Sequence, residues 1–166
     1  GIMKKRPIVA VLAGLLTGCA AHETLLFDVN HGTTARPHCT VVDDPFDGTG
    51  KVVVGEPVGK NANKTTFING KGFFAIPPEW GGSVFIRVAV RGSRKLKVQM
   101  VAKGRRPKSY YPELPAEGKW CEVELPIRNV SDRARPGDKV VDFSIWQLDG
   151  GKEGALYVRD ARLRLR

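Results

Sequence analysis

Apolar and polar residues alternate through most of this chain. The longest clean run is Ser83–Arg91, where Val84, Ile86, Val88 and Val90 share one face and Phe85, Arg87, Ala89 and Arg91 the other. A period of two is what a strand with one buried face requires. The pattern recurs at Thr24–Val29, Cys39–Val42, Lys51–Val54, Lys64–Ile68, Gly72–Ile76, Arg94–Ala102, Tyr110–Pro112, Trp120–Ile127 and Lys139–Gln147, and from Leu156 to Arg166. In Lys139–Gln147, Val141, Phe143 and Ile145 alternate with Asp142, Ser144 and Trp146, which sets Trp146 on the non-core face. No segment keeps a helical period. About nine or ten short strands between turn residues predict an all-β fold, and each strand's single apolar face predicts a two-sheet antiparallel sandwich.

Two breaks in the pattern carry further expectations. In the last strand Leu156 and Val158 share a face, but Ala161, Leu163 and Leu165 continue it one residue out of phase. Parity changes only with an extra residue, so a β-bulge is expected at Arg159–Asp160. Asn69-Gly70, between Lys64–Ile68 and Gly72–Ile76, is the strongest short hairpin signal. Val58–Asn63 reads as a loop, and Asp43–Gly50 (DDPFDGTG) as an acidic turn.

The start of the chain reads as a targeting segment. Lys4, Lys5 and Arg6 precede an apolar run, Ile8–Leu16, too short to span a membrane. It ends in Leu16-Thr17-Gly18-Cys19, which resembles the bacterial lipobox, whose Cys carries lipid and becomes the first mature residue. The expected organisation is signal peptide 1–18, short tether 19–23 and one domain 24–166. The expected location is the bacterial outer membrane or periplasm, or the cell surface, with the anchor at Cys19.

Composition modifies this picture little. The formal net charge is +10. Loss of residues 1–18, with their three cations, leaves +7. A basic balance favours acidic partners, but Arg159, Arg162, Arg164 and Arg166 on one strand also suit edge protection, and export argues against nucleic acid. With Cys19 lipidated, Cys39 and Cys121 remain, as a disulfide or as two free thiols.

The ordered set LLFDV, the DD…G turn, PPEWGGSVFIRVAV, GKWCEVELPI, FSIWQ and LYVRDARL resembles the carbohydrate-binding modules of the galactose-binding-domain-like superfamily. The resemblance spans Thr24 to Arg166. It implies a jelly-roll β-sandwich that binds and does not catalyse. It also implies a structural calcium, with Asp28, Asp47 and Asp160 as the matching carboxylates. Calcium takes six to eight oxygens, which a bulge at Asp160 and the irregular Asp43–Gly50 loop would help to supply. Arg159 departs from the pattern, standing where such domains often carry a second acid.

Sugars stack their C–H faces on aromatic rings and give their hydroxyls to polar side chains. Trp146, Tyr110, Tyr111, Arg87 and Gln99 are the candidate ligand contacts, with Lys97 on the same kind of polar face. Trp80 and Trp120 read as packing residues. The expected function is a non-catalytic carbohydrate-binding lipoprotein domain; the alternative is a protein-interaction or envelope-assembly lipoprotein on the same fold. Glu122 and Glu124 share a strand face roughly 7 Å apart, a spacing open to paired-carboxylate hydrolysis, but a solvated Glu face next to Lys and Arg side chains is the preferred reading.

Overall fold

The computed structural model describes residues 23–31 and 39–166. The expected signal peptide, the lipidation site Cys19 and the tether up to residue 22 lie outside these residues. Among the described residues the strands are β1 (Glu23–Asp28), β2 (Thr40–Asp43), β3 (Lys51–Val54), β4 (Glu56–Val58), β5 (Ala62–Ile68), β6 (Phe74–Ala75), β7 (Ser83–Arg91), β8 (Leu96–Ala102), β9 (Ser109–Tyr110), β10 (Cys121–Pro126), β11 (Lys139–Gln147) and β12 (Ala155–Arg164). Every pairing between them is antiparallel. The first sheet runs β10-β7-β12-β3-β2, with β1 also on β12; the second runs β4-β5-β11-β8-β9, with β6 also on β11. This is the expected all-β, two-sheet jelly-roll sandwich.

The apolar faces read from the sequence meet between the sheets. Val84, Ile86, Val88 and Val90 from β7 and Leu156, Val158, Ala161 and Leu163 from β12 are buried against Phe67, Leu96, Val98, Met100, Phe143 and Ile145 of the second sheet. Phe27 of β1 stacks on Phe67 across the core, with centroids 3.9 Å apart and ring planes 12° off parallel. Phe143 lies 5.6 Å from Phe27 and 5.1 Å from Phe73.

The bulge is where the phase slip put it. The β12–β7 register shifts between Val158 and Asp160, so Arg159 and Asp160 both leave the core side while Ala161 and Leu163 return to it. Gly82 makes the start of β7 possible. Its φ is 105°, and a Cβ there would run into the Arg164 carbonyl of the adjacent strand.

The hairpin expectations need correction. Asn69-Gly70 does not join a hairpin. β5 and β6 both pair with β11, in one direction, and the Asn69 and Phe73 N–H groups donate to Val141 and Val140 O, at 2.9 and 2.7 Å. The chain makes a short excursion and returns to the same neighbour. The real hairpin is β4–β5, where Val58 pairs with Ala62. β4 contains Pro57 and is a sheet edge, where a missing N–H is tolerated. Arg87 and Gln99 also fall on different sheets, because the turn after β7 crosses from the first sheet to the second. Cys39 and Cys121 are free thiols.

Candidate functional site

β11 is the central strand of the second sheet, and its outward residues alternate with buried Phe143, Ile145 and Gln147. Trp146 therefore stands on the solvent side, half-buried, as alternation predicted. The register defines a row across four strands of the main path and on into the residue that follows β9. Glu56 of β4 pairs with Lys64 of β5, Lys64 with Trp146, and Trp146 with Lys97 of β8. Beyond Tyr110, which pairs with Val98, the β8–β9 register persists: Leu96 N–H donates to Pro112 O at 2.9 Å, and Lys95 bridges Glu113. Tyr111 is thereby opposite Lys97, and it is 67% exposed. Two strand spacings, about 10 Å, separate Trp146 from Tyr111.

The neighbouring row is smaller and polar. Thr66 and Ser144 hydroxyls lie 3.3 Å apart, Ser144 donates to Asp142 Oδ1 at 3.0 Å, and Gln99 Nε2 donates to Ser109 Oγ at 2.9 Å. Thr66 and Ser144 are each 5% exposed and make a floor rather than reachable contacts. Gln99, half-buried, holds an amide one row from Trp146. The indole is flanked by cations: Lys64 Nζ and Lys97 Nζ each lie 4.5 Å from its centroid, and they come from the strands on opposite sides of β11.

The structure thus gathers Trp146, Tyr111 and Gln99 on one face and leaves two candidates elsewhere. Tyr110 pairs with Val98 and packs against the core, and burial raises its phenol pKa. Arg87 stands on the outer face of the first sheet, where its Nε donates to Asp160 Oδ1 at 3.0 Å and its Nη2 binds Oδ2. That hydrogen bonding raises the Arg87 pKa. Trp80 and Trp120 are structural. Trp80 packs against the core, and Trp120 Nε1 donates to Asp44 Oδ2 at 2.9 Å while Phe46 meets its ring edge-on.

The donors Asp28, Asp47 and Asp160 do not fit a calcium ion. Asp28 and Asp160 are register partners, but each has its own partners. Asp160, with its side chain 1% exposed, is taken by Arg87, with Arg162 Nη2 at 3.5 Å. Asp28 accepts from the Asn30 N–H and amide, both at 2.9 Å, and faces His31 Nδ1 at 3.2 Å. Burial pushes the Asp28 pKa up, and these hydrogen bonds more than offset it, so the net shift is down. Asp47 belongs to another cluster. Its carboxylate accepts from the Thr49 N–H and hydroxyl, at 2.9 and 2.8 Å, which holds its pKa down to about 2. Arg159 reaches Asp44 and lies 3.5 Å from Asp47. Guanidinium groups stand where cationic charge was expected, and among the described residues no group of three or more His, Cys, Asp or Glu is placed to hold a metal.

Sequence reasoning did not single out Lys64 or Glu56. Both are ordinary polar positions until β5 is paired with β11 and β4 with β5, and no local signal encodes that pairing.

No protein-family model matches this sequence, and no curated protein matches it. Solved structures do share its fold. The family 11 carbohydrate-binding module from Clostridium thermocellum, in complex with a β-1,3-1,4-mixed-linked tetrasaccharide, aligns at a TM-score of 0.51 with 13% identity, covering 87% of this chain and 96% of that one. A low-affinity xylan-binding module of family 86 from Roseburia intestinalis aligns at 0.53 with 10% identity, covering 89% and 96%. A family 29 carbohydrate-binding module aligns at 0.53 with 14% identity, covering 87% and 88%. At such identities the likeness establishes a common fold.

Proposed function

We propose that this chain is a non-catalytic carbohydrate-binding domain whose glycan lies across the outer face of the second sheet, over Trp146. The observation that carries the reading is the row Lys64–Trp146–Lys97–Tyr111: an indole and a phenol on the solvent side of a rigid sheet, with hydrogen-bonding side chains between and beside them. A sugar ring offers C–H groups to Trp146, and its hydroxyls reach Gln99 and the lysines. Tyr111 is the second platform, at a separation that suits a disaccharide. The shared fold with three carbohydrate-binding modules supports the same class of ligand.

The test is affinity electrophoresis of wild type and Trp146→Ala against a panel of soluble polysaccharides. The expected result is retardation by at least one polymer that disappears in Trp146→Ala without a change in melting temperature. Retardation that is unaffected by the substitution would move the site elsewhere. The sequence around Cys19 supports a lipid anchor, so the domain is proposed to work close to a bacterial membrane, in the periplasm or at the cell surface.

A further inference from the structure

We infer that the glycan held by this face is acidic, a polysaccharide bearing uronate carboxylates, with Lys64 and Lys97 as its charge-reading residues. The inference rests on the carbohydrate reading above and specifies its ligand.

Two ammonium groups on this face have no acid of their own. Neither makes an ion pair of the kind that Lys51 makes with Asp43, Lys95 with Asp149, Arg105 with Asp138 or Arg164 with Glu23. Among the described residues neither Lys64 nor Lys97 has a carboxylate oxygen within 4.0 Å. Each instead lies 4.5 Å from the centroid of the same indole. Both side chains are half-buried, so their stems are laid down on the sheet and their heads held near the ring. The two positive charges approach one ring from the strands either side of it and repel each other.

The acids on this face do not relieve them. Glu56 is the register partner of Lys64 but lies beyond ion-pair distance, and Asp142 accepts from Ser144.

This arrangement discriminates between ligands. A neutral sugar stacking on Trp146 displaces an ammonium from the ring and offers it only hydroxyls. A uronate offers a C–H face to the indole and a carboxylate to the displaced ammonium, so the cation exchanges a ring for a charge-assisted hydrogen bond. A second carboxylate further along the polymer meets the other lysine. A net charge that stays positive, +7, after loss of residues 1–18 with Lys4, Lys5 and Arg6 adds a long-range attraction for a polyanion.

The experiment measures binding of the protein to polygalacturonate, alginate and hyaluronate, to the carboxyl-reduced form of each, and to double-stranded DNA. Wild type, Lys64→Gln, Lys97→Gln and Trp146→Ala are compared, with melting temperatures confirming that each variant is folded. The expected result is binding to at least one polyuronate that is lost on carboxyl reduction. That binding should weaken about tenfold in each lysine variant and fall with added salt. It should disappear in Trp146→Ala. Equal binding of a reduced polymer, indifferent to both lysine variants, overturns the acidic ligand and leaves the carbohydrate reading standing. Binding to DNA that matches the polyuronate and survives Trp146→Ala overturns the inference in favour of general polyanion attraction. No binding to any of these polymers overturns the inference; binding to a neutral polysaccharide of the wider panel then decides whether the carbohydrate reading survives.

Discussion

Trp146 and Gln147 are consecutive residues with opposite fates. Trp146 faces solvent, while the Gln147 side chain is fully buried, 0% exposed, at the corner where β7 gives way to β8. Its amide donates to the Arg91 and Ser93 carbonyls, at 2.6 and 2.9 Å, and its Oε1 accepts from Asn63 at 2.9 Å. Gly150 leaves room for that amide, since a Cβ there would sit 2.7 Å from Oε1. Gln147 therefore ties the crossing between the sheets to the end of β11. Replacing it leaves two carbonyls of the crossing and the buried Asn63 amide without this partner, and a buried polar group left unpaired costs about 1–3 kcal/mol. Gln147→Ala is expected to lower stability by about 3 kcal/mol, read as a shift of the urea midpoint at unchanged slope. A shift near zero would mean that water replaces the amide. The outward direction of Trp146 was legible from alternation. The work done by Gln147 was not, because its partners lie more than fifty residues away.

At the scale of elements, β12 shows how a local pattern became a structural device. Its phase slip announced the bulge, and the bulge turns Arg159 and Asp160 side by side away from the core, with Asp160 covered by its partners. From there Arg159 reaches back to the Asp43–Gly50 loop and Asp160 binds Arg87 on the neighbouring strand. Two guanidinium–carboxylate links thus hold the first sheet's outer side, where the family resemblance implied a metal. Arg87→Met leaves the Asp160 charge buried without its partner, for a loss of about 3 kcal/mol. Asp160→Asn is expected to cost less, since no buried charge is stranded. The same view expects a chelator to leave the wild-type melting temperature unchanged, because an ion bound only to the native state would stabilise it and its removal would show. A clear drop in chelator would restore the ion. β4 and the Asn69–Gly72 excursion show the limit of reading elements singly. Both were misread because strand pairing, not local propensity, decides whether a Gly-rich turn closes a hairpin.

For the whole molecule, the sandwich divides labour between its two outer faces. The first sheet's is occupied internally, by the ion pairs of Arg87, Arg159, Arg162 and Arg164. The second sheet's presents the indole, the phenol and two lysines without acidic partners. The anchor proposed at Cys19 bears on where that second face works. Wild-type protein produced in a bacterial host is expected in the membrane fraction and Cys19→Ser in the soluble fraction. Soluble wild-type protein would remove the anchor from the account.

The alternation of side chains by itself determined most of the strands, their buried faces, the all-β class, the bulge and the outward stance of Trp146. Each follows from a two-residue period that neighbouring positions express locally. Tertiary structure alone decided which strands are neighbours. That choice set Lys64 and Lys97 on either side of Trp146, placed Tyr111 in the same row, moved Arg87 to the opposite sheet and gave Asp160 a guanidinium. Pairing arises from the joint burial of faces far apart in the chain, so no segment carries it, and a candidate site built from a row across neighbouring strands becomes visible only once they are side by side.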